Sequence, residues 1–310
     1  MLSKLAKYVK NPWRLYCAAA TRGLTRLVPD KLHLKAMYRG TIGSWPDLDN
    51  PQSFNEKLQW LKLHGRNPLY TTLVDKYAVK QWVADRIGAE YVTKTYECWE
   101  SVDSIDLDTL PERFVLKTNH DCGGVAICRD RATFDFDAAK RLLNEHLHTN
   151  YFWRTREWPY KNVKPLVFAE EYLEPGAGET DLTDYKVMCF GGRVCCEFTC
   201  TGRADGDLRV DFFDTEWNHL PFTRHYPNAS ASPGAPKHLT EMLVMAERLA
   251  EDIPFVRADF YEVAGELYFG EMTFYPNSGF EQFNPKEWDA RFGSWIVLPE
   301  IPGGGSARER

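Results

Sequence analysis

Residues 256–280, VRADFYEVAGELYFGEMTFYPNSGF, hold the side chains with the clearest chemistry. The stretch reads as two short strands joined by a turn at Ala264-Gly265. In the first, small or apolar residues alternate with Arg257 and Asp259, the period of a half-buried strand. The second ends in Glu271. A hairpin closing at Gly265 would set Asp259 and Glu271 side by side, because residues two apart on a strand share a face. Two carboxylates held together repel, so the pair calls for a proton or a cation. An oxygen-only donor set suits Mg²⁺, which keeps water and substrate phosphate as its other ligands. The competing reading is a surface hairpin whose acids are solvated.

A second set lies upstream. Residues 113–117 (RFVLK) form a strand ending in Lys117, followed by the loop 118–124 (TNHDCGG) and a returning strand, 125–128 (VAIC). Glycines let backbone N–H groups approach phosphate oxygens, and a lysine adds a point charge. Residues 166–173 (LVFAEEYL) read as an apolar strand ending in Glu170 and Glu171. Residues 184–187 (DYKV) open a hairpin that turns at Gly191-Gly192 and returns over 193–199. There Asp184 and Lys186 are either ligand-facing or a cross-strand surface pair.

The order Arg-x-Asp, about a dozen residues, Glu-x-Thr, then Pro and Gly (Arg257, Asp259, Glu271, Thr273, Pro276, Gly279) resembles the metal end of ATP-grasp ligases such as D-alanine–D-alanine ligase. The chain is more similar still to the TupA-like ATP-grasp branch of bacterial surface-polysaccharide (teichuronopeptide) biosynthesis. Residues 54–62 (FNEKLQWLK), 74–77 (VDKY) and 271–274 (EMTF) carry that likeness, which runs from about residue 30 to residue 300. The resemblance implies ATP and two Mg²⁺ ions, with Asp259 and Glu271 as metal ligands. The third ligand, commonly Asn, is Thr273 here, and Asn277 is an alternative donor. It implies Lys76 and Lys117 at the phosphates and Gly123-Gly124 as the lid over the triphosphate. It places Glu170, Glu171 and the backbone near Tyr172 along the adenine, Asp184 near the ribose, and Lys186 at the phosphates. Arg257 and Lys186 are the catalytic cations. One of Arg203, Arg209 and Arg224 is expected to neutralise the transferred phosphate. His120, Asp121 and Cys122 depart from the family's Gly/Ser-rich loop; His120 is either a general base or a polar loop residue.

These residues need elements to hold them. Ser53 with Glu56 makes a capping box for a helix carrying Phe54, Leu58 and Leu61. A second helix is expected over 73–87, with Lys76 in its first turn and Gly88 as its stop. Helices are also expected over 136–150, over 237–253 (Leu239, Leu243, Ala246 and Leu249 inward) and from 283. Residues 151–164, rich in Tyr, Trp, Arg and Lys, are either the acceptor side of the site or a core-covering loop.

The 310 residues allow one large domain or two modest ones. The expected class is α+β of ATP-grasp type, two subdomains clamping ATP. The divisions are a basic helical arm (1–45), a helical lead-in (46–110), an ATP-grasp domain (111–300; glycine loop 111–175, metal end 176–300) and a tail (301–310). Net charge is −6, yet the first forty residues carry +8 and the remainder −14. Lys4, Lys7, Lys10 and Arg14 are interleaved with apolar residues, which suits either contact with an anionic membrane face or docking on the body. The acidic chain, with no nucleic-acid motif, argues against nucleic acid. No apolar run reaches bilayer length and no secretory signal is seen, so a cytoplasmic protein is expected, at the inner membrane face through its arm. The eight cysteines form no C-x-x-C pair and read as free thiols.

The expected activity is ATP-dependent carboxylate–amine ligation through an acyl phosphate, with an amino acid or peptide and an acidic, uronate-containing glycan as substrates. The competing readings are a glycosyltransferase, for which Asp106-Leu107-Asp108 has the spacing but not the preceding apolar strand, and a non-catalytic ATP-binding module.

Overall fold

The computed structural model describes residues 11–176, 182–202 and 206–300. The first ten residues of the basic arm, Arg203 and the tail from 301 lie outside the described residues. Helices α1 (Trp13–Thr21) and α2 (Asp30–Thr41) pack on one another. Helix α3 (Phe54–His64) starts at the expected capping box: Glu56 N–H donates to Ser53 Oγ at 3.3 Å, and Ser53 N–H donates to the Glu56 carboxylate at 3.2 Å.

The helix expected over 73–87 is instead two, α4 (Leu69–Val74) and α5 (Val79–Ile87). Asp75 between them is extended, and its carboxylate takes the N–H groups of Tyr77 (2.9 Å) and Ala78 (3.0 Å). Aspartate competes with the helical ladder in this way. Lys76 therefore sits in a break rather than in a helical turn, and its own N–H donates to Asn119 O at 2.9 Å.

Strands β1 (Thr95–Trp99), β2 (Phe114–Thr118) and β3 (Val125–Cys128) precede helix α6 (Phe136–Leu147), the short helix α7 (Phe152–Thr155) and strand β4 (Val167–Glu171). These strands form an antiparallel sheet in the order β1-β4-β2-β3. Helix α6 covers it with Ala139, Leu143 and Leu147, giving a small core with Phe114, Leu116, Val167 and Ala169.

Strands β5 (Asp184–Phe190), β6 (Arg193–Thr201), β7 (Arg209–Phe213) and β8 (Thr223–Arg224) lead to helix α8 (Leu239–Leu249), then to β9 (Phe255–Val263), β10 (Glu266–Thr273), β11 (Phe283–Asn284) and helix α9 (Glu287–Trp295). The second antiparallel sheet has the order β10-β9-β5-β6-β7, and β8 pairs with β11. Helix α8 buries Met242, Met245, Ala246 and Leu249, leaving Leu239 and Leu243 at the margin of the stripe. The segment from 283 begins as a strand, and its helix starts only at Glu287.

The larger core joins distant parts of the chain. Phe54 at the start of α3 lies between 5.0 and 6.2 Å from the rings of Phe190, Phe255, Phe283 and Phe292. Helix α3 therefore belongs to the second sheet, although it precedes the first in sequence. All eight cysteines are free thiols, and among the described residues no helix is long and apolar enough to cross a membrane.

Candidate active site

The hairpin β9–β10 turns at Ala264-Gly265, both with positive φ, as the sequence predicts. Glu266 pairs with Val263 and Phe269 with Phe260, a register that would place Gly270 opposite Asp259. A β-bulge at Gly270 inserts one residue, so that Glu271 becomes the partner of Asp259. Without that shift Glu271 would fall on the other face, because strand side chains alternate. A Cβ at Gly270 would lie 3.1 Å from both Asp259 O and Tyr261 Cε2, so the bulge has little room for a side chain.

Arg257, two residues before Asp259, ties the acids together. Its Nε donates to Asp259 Oδ1 at 2.6 Å, and Nη2 donates to Asp259 Oδ2 at 2.6 Å and to Glu271 Oε1 at 3.1 Å. Lys186 comes from β5, in register with Asp259, and its Nζ lies 2.5 Å from Asp259 Oδ2 and also pairs with Asp184. Lys76 reaches the site from the break after α4, 3.9 Å from Glu271 Oε2. Thr273 Oγ1 donates to Glu271 Oε1 at 3.1 Å.

Three acids and three cations thus share one face of the second sheet. Burial alone would raise the Glu271 carboxyl, but Lys76, Arg257 and Lys186 outweigh it and hold it at about 2. Burial pushes the Asp259 carboxyl up against the pull of Arg257 and Lys186. The Asp259 side chain is 2 % exposed, with both oxygens engaged, whereas Glu271 is 32 % exposed. Asp184 Oδ1 is buried with no partner among the described residues.

A second constellation lies on the first sheet. Glu170 is shared between Lys117, from β2, and Lys80, at 2.7 Å, from the first turn of α5. Burial would raise the Glu170 carboxyl, but Lys117 and Lys80 hold it at about 2. Lys80 also donates to Thr93 O and Thr95 Oγ1, at 3.0 and 2.9 Å. The sequence reading missed Lys80; its signal was a lysine one turn after Lys76.

The glycine loop between β2 and β3 is pinned from several sides. Asn119 Nδ2 donates to Asp75 Oδ2 at 2.9 Å, and Lys76 Nζ donates to Asp121 O. The Asp121 carboxylate accepts from Thr118 Oγ1 and pairs with His146 on α6. His120 is buried, with Nδ1 3.1 Å from Asn119 Oδ1 and Nε2 3.1 Å from Thr149 O, which makes it a loop-holding residue. Gly123 has φ 101°, and a Cβ on Gly124 would fall 2.0 Å from Thr118 Oγ1, so both positions require glycine.

Glu171 ends β4 near Lys80, whose charge it helps to hold, and Tyr172 follows it. Glu171 N–H donates to Lys94 O at 2.9 Å, and the Tyr172 ring faces Arg113 and Arg129. Of the arginines left open, Arg209 pairs with Asp207, and Arg224 is buried 3.3 Å from Glu281. Asp106 and Asp108 occupy an exposed 3₁₀ turn.

Residues 54–62 act at long range. From one side of α3, Asn55 Nδ2 donates to Glu281 O at 2.7 Å, Gln59 Nε2 to Ser278 O and Gly279 O at 3.0 and 2.9 Å, and Lys62 Nζ to Ser278 O at 2.7 Å. They clamp the loop that follows Thr273, where Asn277 and Ser278 both have positive φ. Ser278 Oγ donates in turn to buried Glu157 at 2.5 Å. In the aromatic segment 151–164, Tyr151 and Tyr160 pack edge to face at 5.3 Å, while Arg156 turns inward and is 1 % exposed.

The profile described as TupA-like ATPgrasp matches residues 56–297. Among solved structures, the chain is similar to D-alanine–D-alanine ligase from Helicobacter pylori, with 14% identity, 80% of this chain and 70% of that one covered, and a TM-score of 0.43. It is also similar to the Bacillus anthracis D-alanine–D-alanine ligase complexed with ATP (13% identity, 66% and 54% covered, TM-score 0.38). A third is a RimK domain ATP-grasp protein from Sphaerobacter thermophilus (14%, 76% and 71%, 0.39). The chain spans about half the length of the B. anthracis enzyme, at 54%. No curated protein matches it at a significant level.

Proposed function

The chain belongs to the TupA-like ATP-grasp family, and from that membership we propose that it is an ADP-forming carboxylate–amine ligase. In this reading the γ-phosphoryl group passes to a carboxylate oxygen: a P–O bond forms there and the bond to the β-phosphate oxygen breaks, releasing ADP. The amine lone pair then attacks the acyl carbon. The C–N bond forms, the C–O bond to phosphate breaks, and the amine proton leaves to solvent.

The observation that carries the reading is the bulge that sets Glu271 against Asp259 beneath Arg257. A carboxylate and an anionic phosphate repel, so the site must supply positive charge where they meet. Arg257, Lys186 and Lys76 stand around the acids, and Lys117 stands beneath the glycine loop. Asp259, Glu271 and Thr273 are the oxygen donors that would hold two Mg²⁺ ions, Asp259 exchanging its contacts with Arg257 and Lys186 for the metal. Bound Mg²⁺ supplies charge neutralisation on the phosphates. Asp184, with a buried oxygen that has no partner among the described residues, suits a nucleotide hydroxyl. Gly123-Gly124, Glu170, Glu171 and the Tyr172 backbone complete the nucleotide side. No side-chain nucleophile is required, since positioning and electrostatics suffice for this chemistry.

The substrates we assign are an amino acid or peptide and a uronate-containing surface polysaccharide or its precursor. The enzyme acts in the cytoplasm, with its basic arm on the inner membrane face. Calorimetric titration with Mg·ATP, beside a UDP-sugar, on the intact protein and Asp259→Asn tests the core of the reading. ATP binding that disappears in the variant supports it, and hydroxylamine trapping across uronates and amino acids then finds the acyl phosphate. Binding of the UDP-sugar without ATP would establish a glycosyltransferase instead. ATP binding with no ADP formed on any substrate pair would leave a binding module.

A further inference from the structure

We propose that the elbow between α1 and α2, residues 22–29, is a docking surface for an anionic lipid bilayer. This deepens the membrane-contact part of the functional reading and is independent of the ligase chemistry. The elbow is fixed from below. Buried Arg156 donates through Nη2 to the carbonyls of Thr25 (3.0 Å), Arg26 (3.4 Å) and Val28 (3.2 Å), and its Nε lies 2.9 Å from Asp30. Thr25 points inward and is buried. Between the exposed Arg22 and Arg26 this held backbone presents Leu24, 75 % exposed, and Leu27, fully exposed, with Leu32 at 60 % in the first turn of α2. Three exposed leucines within nine residues exceed the scattered surface leucines of an ordinary soluble domain.

Charge selects the occupant. Residues 11–41 carry Arg14, Arg22, Arg26, Lys31, Lys35 and Arg39 against Asp30 as the lone acid, in a chain of net charge −6. Lys31 is paired to Asp49 and Asp30 to Arg156, so the arginines of the elbow and its flanks set the local field. An acidic polymer would answer the cations but gain nothing from the leucines. An anionic bilayer answers both, with arginines at the headgroups and leucines in the acyl boundary. The elbow lies outside the nucleotide and metal constellations, so lipid contact and ATP binding are separable.

The test is co-sedimentation of the full chain with vesicles of phosphatidylcholine alone and of equimolar phosphatidylcholine and phosphatidylglycerol, using wild type, Leu24→Asp/Leu27→Asp and Arg22→Gln/Arg26→Gln. Circular dichroism and Mg·ATP titration serve as controls for folding and for the ligase reading. Wild type is expected to bind only the mixed vesicles. Each double variant should lose roughly tenfold or more in partition while keeping its melting curve and ATP affinity. Absence of wild-type binding to mixed vesicles overturns the proposal. So does unchanged binding of the leucine variant, which would move the anchor to the first ten residues. Equal binding of wild type and leucine variant to polygalacturonate, with vesicle binding unaffected, would make the surface a polyanion site. A change from dimer to monomer in the leucine variant without a vesicle effect would make it a self-association face.

Discussion

Lys186 and Asp259 face each other in register across β5 and β9, and their side chains meet at 2.5 Å with almost no solvent contact. Removing Lys186 takes away one of the two cations that answer buried Asp259, and leaving a buried charge under-compensated is costly. Lys186→Met is therefore expected to destabilise the protein by about 3 kcal/mol in urea unfolding. The Lys186→Met/Asp259→Asn double variant should lose less than the sum of the singles, the signature of direct coupling. Strict additivity would show that the two charges do not depend on each other.

Glu271 is the open member of the acid pair. Its conversion to Gln keeps the shape and removes the charge that the site would offer to Mg²⁺. We expect ADP formation to fall by about a hundredfold or more, with melting temperature changing less than in Lys186→Met. A coupled ADP assay and a thermal scan on the same preparation decide this, and undiminished turnover would end the metal assignment.

Glu170 predicts a pH dependence. Its folded-state value of about 2 lies below the ordinary 4.5. A depressed carboxyl stabilises the fold above the ordinary value, and that contribution is lost as pH falls from 4.5 through 2. The size is on the order of 3 kcal/mol. Urea midpoints should drop as pH falls from about 5 toward 2, and Glu170→Gln should flatten the slope in that window. An equally steep slope in the variant would place the titration elsewhere.

Gln59 holds two carbonyls of the loop after Thr273. Gln59→Ala should cost about 1–3 kcal/mol, because two buried carbonyls lose a donor. Amide exchange over 276–281 should accelerate while exchange in β9 is unchanged. Protection that stays level across the loop would mean that Asn55 and Lys62 suffice to hold it.

Much of the β9–β10 hairpin was legible in the sequence because a strand's period of two fixes faces, and Ala264-Gly265 marks the turn. The facing of Asp259 and Glu271 was legible only by spacing; its cause, the bulge at Gly270, is a departure from regular pairing. Lys80 escaped because the apparent helix over 73–87 hid the break that Asp75 makes with its side chain. Asn55, Gln59 and Lys62 lie among the apolar positions expected for the α3 helix, and each is buried against carbonyls more than two hundred residues away. Periodicity reports which residues share a face, not what that face meets. The same ambiguity left residues 151–164 open, and there Arg156 proved to be a bolt beneath the elbow.

The clamp of α3 on the loop after Thr273 also sets the order in which the molecule can be built. The first sheet and α6 close their own small core from residues between Val102 and Ala169. The second core must wait, since Phe54 packs on Phe283 and Phe292, which leave the ribosome more than two hundred residues after it. Contacts so far apart in sequence are slow to form. On a growing chain the glycine-loop sheet would stand folded while α3 keeps an uncovered apolar face, the state in which a chaperone or a misfolding partner finds it. Only when synthesis passes Phe292 can that phenylalanine cluster shut.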